Sequence, residues 1–259
     1  MSEQMSEAPD NDVKAGGVAA VERAIAILNA FRAGDSSLSL NEIARRTKMY
    51  KSTILRLLAT LVQEHCIVRL DDGSYQLGSM LLHWGGLYQS ALRLDDHVPP
   101  ILRRLVQETE EGASFFTREG NHRVCLFRVD SPRSIRDHIR TGDLVPLDKG
   151  AAGRVLMAFD PAITPRSQAP VQPYIITIGE REPDIAAIAA PVFGPQRNLR
   201  GALAISGPAA RFSAELISAM SVRLLAASAD LTRRLGGDAT IFDSWRPADS
   251  SVALGESAD

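Results

Sequence analysis

The chain has 259 residues, 45% of them hydrophobic, a length and composition that hold two ordinary domains with real cores. No apolar run approaches the roughly eighteen residues of a membrane span, and the acidic N-terminus has no resemblance to a signal peptide, so a cytosolic protein is expected. Cys66 and Cys125 belong to no CxxC pattern and the five histidines are scattered, which argues against a disulfide framework and against a metal site.

Residues 1–17 are expected to be a disordered acidic tail, with four acids and no base in the first twelve positions. Residues 18–34 read as a helix, with Val21, Ile25 and Leu28 on one side, Ala24, Ile27 and Phe31 beside them, and Gly34 as the stop. The run 37–63, SLSLNEIARRTKMYKSTILRLLATLVQ, then carries two short amphipathic helices. Ser39 followed by Glu42 fits a capping box, and Leu40, Ile43 and Ala44 form the first apolar face. After a polar turn at Thr47–Tyr50, the residues Ile54, Leu57, Leu58, Leu61 and Val62 recur at helical spacing, which turns Lys51, Ser52, Thr53 and Arg56 outward.

Between Arg45 and Arg56 there are five Lys or Arg and no acid. A helix-turn-helix that offers a DNA-reading helix needs this combination. Ile67–Leu70 and Tyr75–Leu77 flank an Asp-Gly turn and read as a hairpin, completing a winged helix-turn-helix over 18–78. Cys66, between helix and wing, reads as a small packed hydrophobe.

Residues 79–94 read as an apolar linker helix. Its Trp84, Leu87, Tyr88 and Leu92 want either a partner subunit or the second domain. From Asp95 to Gly236 the pattern is α+β, with helices at 98–111, 150–159 and 213–235. Strands are expected at 113–118, 123–130, 135–141, 174–178, 185–193 and 199–206, forming an antiparallel sheet rather than a doubly wound nucleotide fold. Residues 237–259, with five acids and one Arg, are expected to be a second disordered tail. Between the tails, residues 13–236 hold 28 bases against 22 acids. The tails are read as solvated ends; a sharper reading has them compete weakly with DNA for the basic face.

KSTILRLLATLV with the YQLG end of the wing, together with LVPLDKGAAGRVLMAF, IAAIAAPVF and GALAISGP in that order, resembles the IclR family of bacterial transcription regulators over about residues 18–236. The resemblance implies a GAF-like C-terminal domain that binds a small-molecule effector. It also implies a helical linker, and dimers or dimers of dimers on operator DNA. Two departures stand out. Lys48-Met49 replaces the family's Gly-Leu in the turn. A helical segment normally present after Phe159 is reduced to DPAITPRSQAPVQP, too proline-rich for a regular helix, so one wall of the effector cavity is expected to be missing or supplied by a neighbouring subunit.

On the DNA side, Arg56 is the candidate for a bidentate contact to guanine, worth about 1–3 kcal/mol of base discrimination. Lys48 and Lys51 suit phosphates, and Ser52 and Thr53 suit phosphate or base edges. Arg45 or Arg46 is expected to pair with Glu42 instead. On the ligand side, the resemblance maps the effector site onto Val145, Ala151, Ala152, Thr177, Ala187, Ala204 and Ser206. N–H groups of the turn leading into the helix at Gly153 are expected to take a carboxylate. With alanine at two places where family members that sense polar acids carry polar groups, the expected effector is an aromatic or apolar carboxylate.

The overall expectation is a repressor acting on a near-palindromic, double-stranded operator without a cofactor. Two rivals are an architectural DNA binder that has lost its sensor and an enzyme using Glu180, Glu182 and Asp184. The acidic trio reads better as solvated loop charge, and no GxSxG, Walker or GxGxxG pattern occurs.

Overall fold

The computed structural model describes residues 17–91, 94–168, 170 and 172–243. The expected N-terminal tail, through residue 16, and the part of the C-terminal one from 244 on lie outside the described residues. The chain divides into two compact units, residues 1–91 and 92–259.

The first unit is a winged helix-turn-helix. Helix α1 (Ala19–Leu28) precedes α2 (Leu40–Thr47) and α3 (Lys51–Gln63), followed by strands β1 (Ile67–Arg69) and β2 (Tyr75–Leu77) and helix α4 (Ser79–Ala91). Ile27, Ile43, Ile54, Leu58 and Ile67 are fully buried around Leu61, Cys66 and Tyr75, so α3 buries the apolar stripe its spacing announced. Cys66 packs in that core as expected. The Ser39 hydroxyl caps α2 by accepting from the Glu42 N–H at 3.2 Å. Glu42 does not complete the box; its carboxylate accepts from both Arg45 and Arg46. Arg46 also bonds Asp35 and the Ala30 carbonyl, tying α2 to the end of α1. The hairpin pairs Ile67 with Leu77 and Arg69 with Tyr75, and Gly73 at φ 80° makes the turn the Asp-Gly signal called for. Helix α1 stops at Leu28, short of Gly34, because Asn29 and Ala30 close the last turn.

The second unit is a six-stranded antiparallel sheet in the order β5-β4-β3-β8-β7-β6. These are β3 (Gly112–Glu119), β4 (His122–Val129), β5 (Leu144–Pro146), β6 (Ile175–Ile178), β7 (Ile185–Phe193) and β8 (Leu199–Pro208). Helix α5 (Val98–Thr109) packs with the long α7 (Ala214–Arg234) against the sheet, and α6 (Ala151–Phe159) packs on β3, β6, β7 and β8. Burial along β7 is nearly continuous from Ala186 to Phe193, as a strand covered on both faces requires.

The second unit departs from the expected elements in three places. No strand forms at 135–141. Ile135 and Ile139 mimicked a period of two, but Ile135 is 72% exposed, and residues 132–138 bury only Asp137. The edge strand is instead the three-residue β5. Helix α5 ends at Thr109 because Glu110 adopts a left-handed conformation. Order also continues past Gly236 into α8 (Thr240–Asp243), where Ala239 and Phe242 are buried. Residues 160–168 form turns and a single 3-10 turn rather than a regular helix, as the prolines demanded.

Candidate functional site

Two places carry the chemistry, one in each unit. In the first, Lys48, Lys51, Ser52 and Arg56 are exposed and Thr53 is half-exposed, all around the start of α3. Among the described residues none of these three cations has a carboxylate partner, whereas Arg45 and Arg46 are both engaged with Glu42. Those two guanidinium groups hold the Glu42 carboxyl down to about 2, through the hydrogen bond from Arg45 first and that from Arg46 second. The separation is sharp: α2's arginines serve the fold, while α3's cations face outward.

The start of α3 differs from the starts of α2 and α7. Those two have a serine cap and an acid in the first turn, Ser39 with Glu42 and Ser213 with Glu215. Helix α3 has Tyr50 at the cap position with no side-chain bond, and no acid in its first turn. Its free N–H groups and positive dipole end therefore suit an external anion. Tyr50 is 86% exposed and Arg23 of α1 lines a groove of about 290 Å³ with Thr53, Arg56 and Thr60. The sequence reading overlooked both residues. An unburied aromatic directly before a basic helix was the available signal for Tyr50; Arg23 gave none, since its position depends on how α1 crosses α3.

In the second unit, Ala151, Ala152, Thr177, Ala187, Ala204 and Ser206 line one cavity of about 30 Å³. They come from α6, β6, β7 and β8, whose register places Thr177 opposite Ala187 and Ala187 opposite Ser206. Val145 is buried on β5 opposite Arg123 and is not among the lining residues. The helix start is already engaged. Glu180 Oε2 accepts from the Gly150 N–H at 3.1 Å, and Thr177 Oγ1 accepts from the Ala151 N–H at 2.9 Å. The anion position expected there is thus filled by the protein's own Glu180, which also pairs with Arg154. Glu180 is held in this way, and Glu182 of the same acidic trio pairs with Arg181.

What the alanines concealed is charge. Arg123, Asp137 and Arg181 line the same cavity, and Arg128 stands beside it. Asp137 is 2% exposed, and its Oδ2 accepts from the Ser206 hydroxyl at 2.7 Å while Oδ1 accepts from Arg181 at 2.5 Å. Burial alone pushes the Asp137 carboxyl up, but Arg181, the Ser206 hydroxyl and Arg128 outweigh it and hold it below the usual range. Arg128 donates to the hydroxyls of Ser114 and Ser206 and to the Asp137 carbonyl.

Arg123 is 3% exposed, donates to the Pro146 and Lys149 carbonyls, and lies 5.3 Å from the centre of the Phe116 ring. Its Nε has no hydrogen-bond partner, and among the described residues no carboxylate pairs with it. Burial first, then the charge of Arg181, lowers its pKa to about 10. Gly153 makes room for it: a Cβ there would stand 2.1 Å from the Leu147 carbonyl and 2.5 Å from Arg123 Nη1. None of the four charged residues gave a sequence signal, because they come from strands and loops that only the fold brings together.

His138 is exposed beside Glu182 rather than facing the cavity. Among the described residues no cluster of His, Cys, Asp or Glu could hold a metal ion. A wider depression of about 300 Å³ around Thr117, Leu156 and Leu199 contains none of the candidate residues and is flanked by the ion pair Arg118–Asp160.

Comparison with known proteins follows the same division. The family model for the IclR helix-turn-helix domain matches residues 20–71. That for the bacterial transcriptional regulator IclR C-terminal domain matches 87–169 and 167–233, the two matches meeting within the proline-rich segment after Phe159. The HTH-type transcriptional regulator KipR of Bacillus subtilis is 25% identical over 242 residues, covering 83% of this chain and 96% of its own. The glycerol operon regulatory protein of Streptomyces coelicolor is 27% identical over 246 residues, covering 85% and 96%. A crystal structure of an IclR homolog complexed with 4-hydroxybenzoate, from Microbacterium hydrocarbonoxydans, superposes with a TM-score of 0.71 at 20% identity over 83% of this chain and 98% of that one. With both family models matched in order on the two units, the chain belongs to the IclR family of bacterial transcriptional regulators.

Proposed function

We propose that this DNA-binding regulator represses transcription from a near-palindromic operator and is controlled by a small aromatic or apolar carboxylate bound in the second unit. The observation that carries the DNA half is the unpaired, exposed cationic start of α3, without cap or acid, on a helix-turn-helix. Arg56 reads a base edge. Lys48 and Lys51 take phosphates, with Ser52, Thr53, Tyr50 and Arg23 supporting them. The turn of the wing carries Asp71 and Asp72, so the wing approaches the backbone through Arg69 rather than its tip.

The effector half rests on the cavity. Ala151, Ala152, Ala187 and Ala204 offer an apolar wall that pairs no ligand hydroxyls, while Arg123 and Arg181 supply positive charge. The homolog complexed with 4-hydroxybenzoate has the same fold, which supports an aromatic acid of that kind. Self-association places two copies of α3 on one duplex; the exposed Val18 before α1, Val21 and Ile25 of α1, and Leu82, Trp84, Leu87 and Tyr88 of α4 supply apolar surface for it.

Footprinting the purified full chain on the DNA flanking its own gene tests the reading. A protected site with two related halves, released by an aromatic acid and unaffected by its neutral amide, is the expected result. Uniform, salt-labile coating of DNA without a preferred site would overturn it.

A further inference from the structure

The cavity holds about 30 Å³, room for water but not for an organic acid. Something must leave before an effector enters, and the geometry identifies it. Residues 132–139 belong to no strand or helix, and among the described residues they form no main-chain to main-chain hydrogen bond. From 132 to 138 every residue is exposed except Asp137. Surface contacts also hold this strap, with Arg211 donating to the Ile135 carbonyl, Arg128 to the Asp137 carbonyl, and Arg133 and His138 paired with Glu110 and Glu182. Its one buried anchor from 132 to 138 is the Asp137 carboxylate, held by Ser206 and Arg181 and backed by Arg128 at 3.9 Å. A buried carboxylate set between a hydroxyl and two guanidinium groups is the arrangement by which an acid ligand would be held.

We propose that Asp137 is a resident occupant of the effector's acid site, and that a small aromatic or apolar carboxylate binds by displacing it from Ser206 and Arg181, freeing the strap. This rests on the effector reading above and specifies its chemistry. The exchange is charge-neutral at the site, one carboxylate for another. Displacement by a neutral molecule would take one of two carboxylates from Arg181 and Arg128, leaving them only Glu182 and Asp130, and would offer nothing charged to the buried Arg123. The site therefore selects acids over their amides. Arg123 adds a second demand, since its buried Nε lacks an acceptor. A ligand oxygen reaching it gains a hydrogen bond that Asp137 does not make. The ligand's apolar body then lies where the strap's side chain stood, against the alanines and Phe116.

The test uses benzoate and benzamide with the full chain at fixed ionic strength, followed by calorimetry. Asp137→Asn keeps the shape of the side chain but removes the competing charge, so benzoate is expected to bind it at least ten times more tightly than the unaltered protein, and benzamide equally weakly to both. Equal or weaker benzoate binding by the variant overturns the displacement and leaves the effector reading standing. Binding by neither protein overturns both. A second readout needs no variant: trypsin should cleave after Arg133 and Arg136 faster when benzoate is bound, because both lie on the strap, and unchanged or slower cleavage contradicts its release.

Discussion

Lys48 holds a backbone conformation that suits glycine, φ 56° and ψ 26°, at the corner between α2 and α3. A side chain there costs about 1 kcal/mol relative to glycine, part of it offset by glycine's freer unfolded chain. Lys48→Gly should therefore raise stability by about 0.5 kcal/mol in denaturant while lowering the salt slope of DNA binding by about one. An unchanged salt slope would show that Lys48 is not kept for phosphate. Gly153→Ala acts in the other unit. Its Cβ meets main chain on one side and Arg123 on the other, so a loss of about 1–3 kcal/mol is expected in denaturant titration. Glu42 sets an acid limit. Its folded pKa, about 2, lies below the ordinary 4.5, so its contribution is complete above 4.5 and lost as pH falls through 2. Glu42→Gln should lower stability at neutral pH and flatten the decline in that window, as followed by thermal unfolding at several pH values.

At the scale of elements, the question is what covers α4. Leu82 is 80% exposed and Trp84, Leu87 and Tyr88 are about half exposed, while a Cβ at Gly85 or Gly86 would meet nothing within 4 Å. In an isolated helix, alanine at both glycines should stabilise by about 1 kcal/mol each. If another copy's helix packs closely there, the same changes should instead weaken self-association, as should Trp84→Glu, and sedimentation over a concentration series distinguishes the cases. The elements were legible wherever a period and a stop agreed: α3 from its apolar stripe, the wing from Asp72-Gly73, and α7 from Ser213 onward. The strap at 132–139 was not. Ile135 and Ile139 share a period of two with Asp137, and only the fold reveals that the middle residue is held by charge while the first is in solvent.

At the scale of the whole molecule, a regulator needs an effector that discriminates between states of different DNA affinity; a ligand binding all states equally shifts nothing. Linkage makes this reciprocal: operator DNA should weaken acid binding by the same factor by which the acid weakens operator binding. Calorimetry with and without a saturating operator duplex checks the equality, and unequal factors would mean that the acid acts elsewhere. The exposed cationic start of α3 was readable from residues 45–56 because its signal is local. The cavity lining was half readable: the family resemblance named Thr177, Ala187, Ala204 and Ser206, but Arg123, Asp137 and Arg181 join them through pairing between distant segments.

The groove-reading role of α3 is tested most directly by measuring operator binding of Arg56→Ala across a salt series, alongside a panel of single-base operator changes. The outward, unpaired position of this guanidinium predicts at least a tenfold loss, equivalent to about 1.4 kcal/mol, with preference erased at one base per half-site. An unaltered isotherm and an unaltered base preference would contradict it.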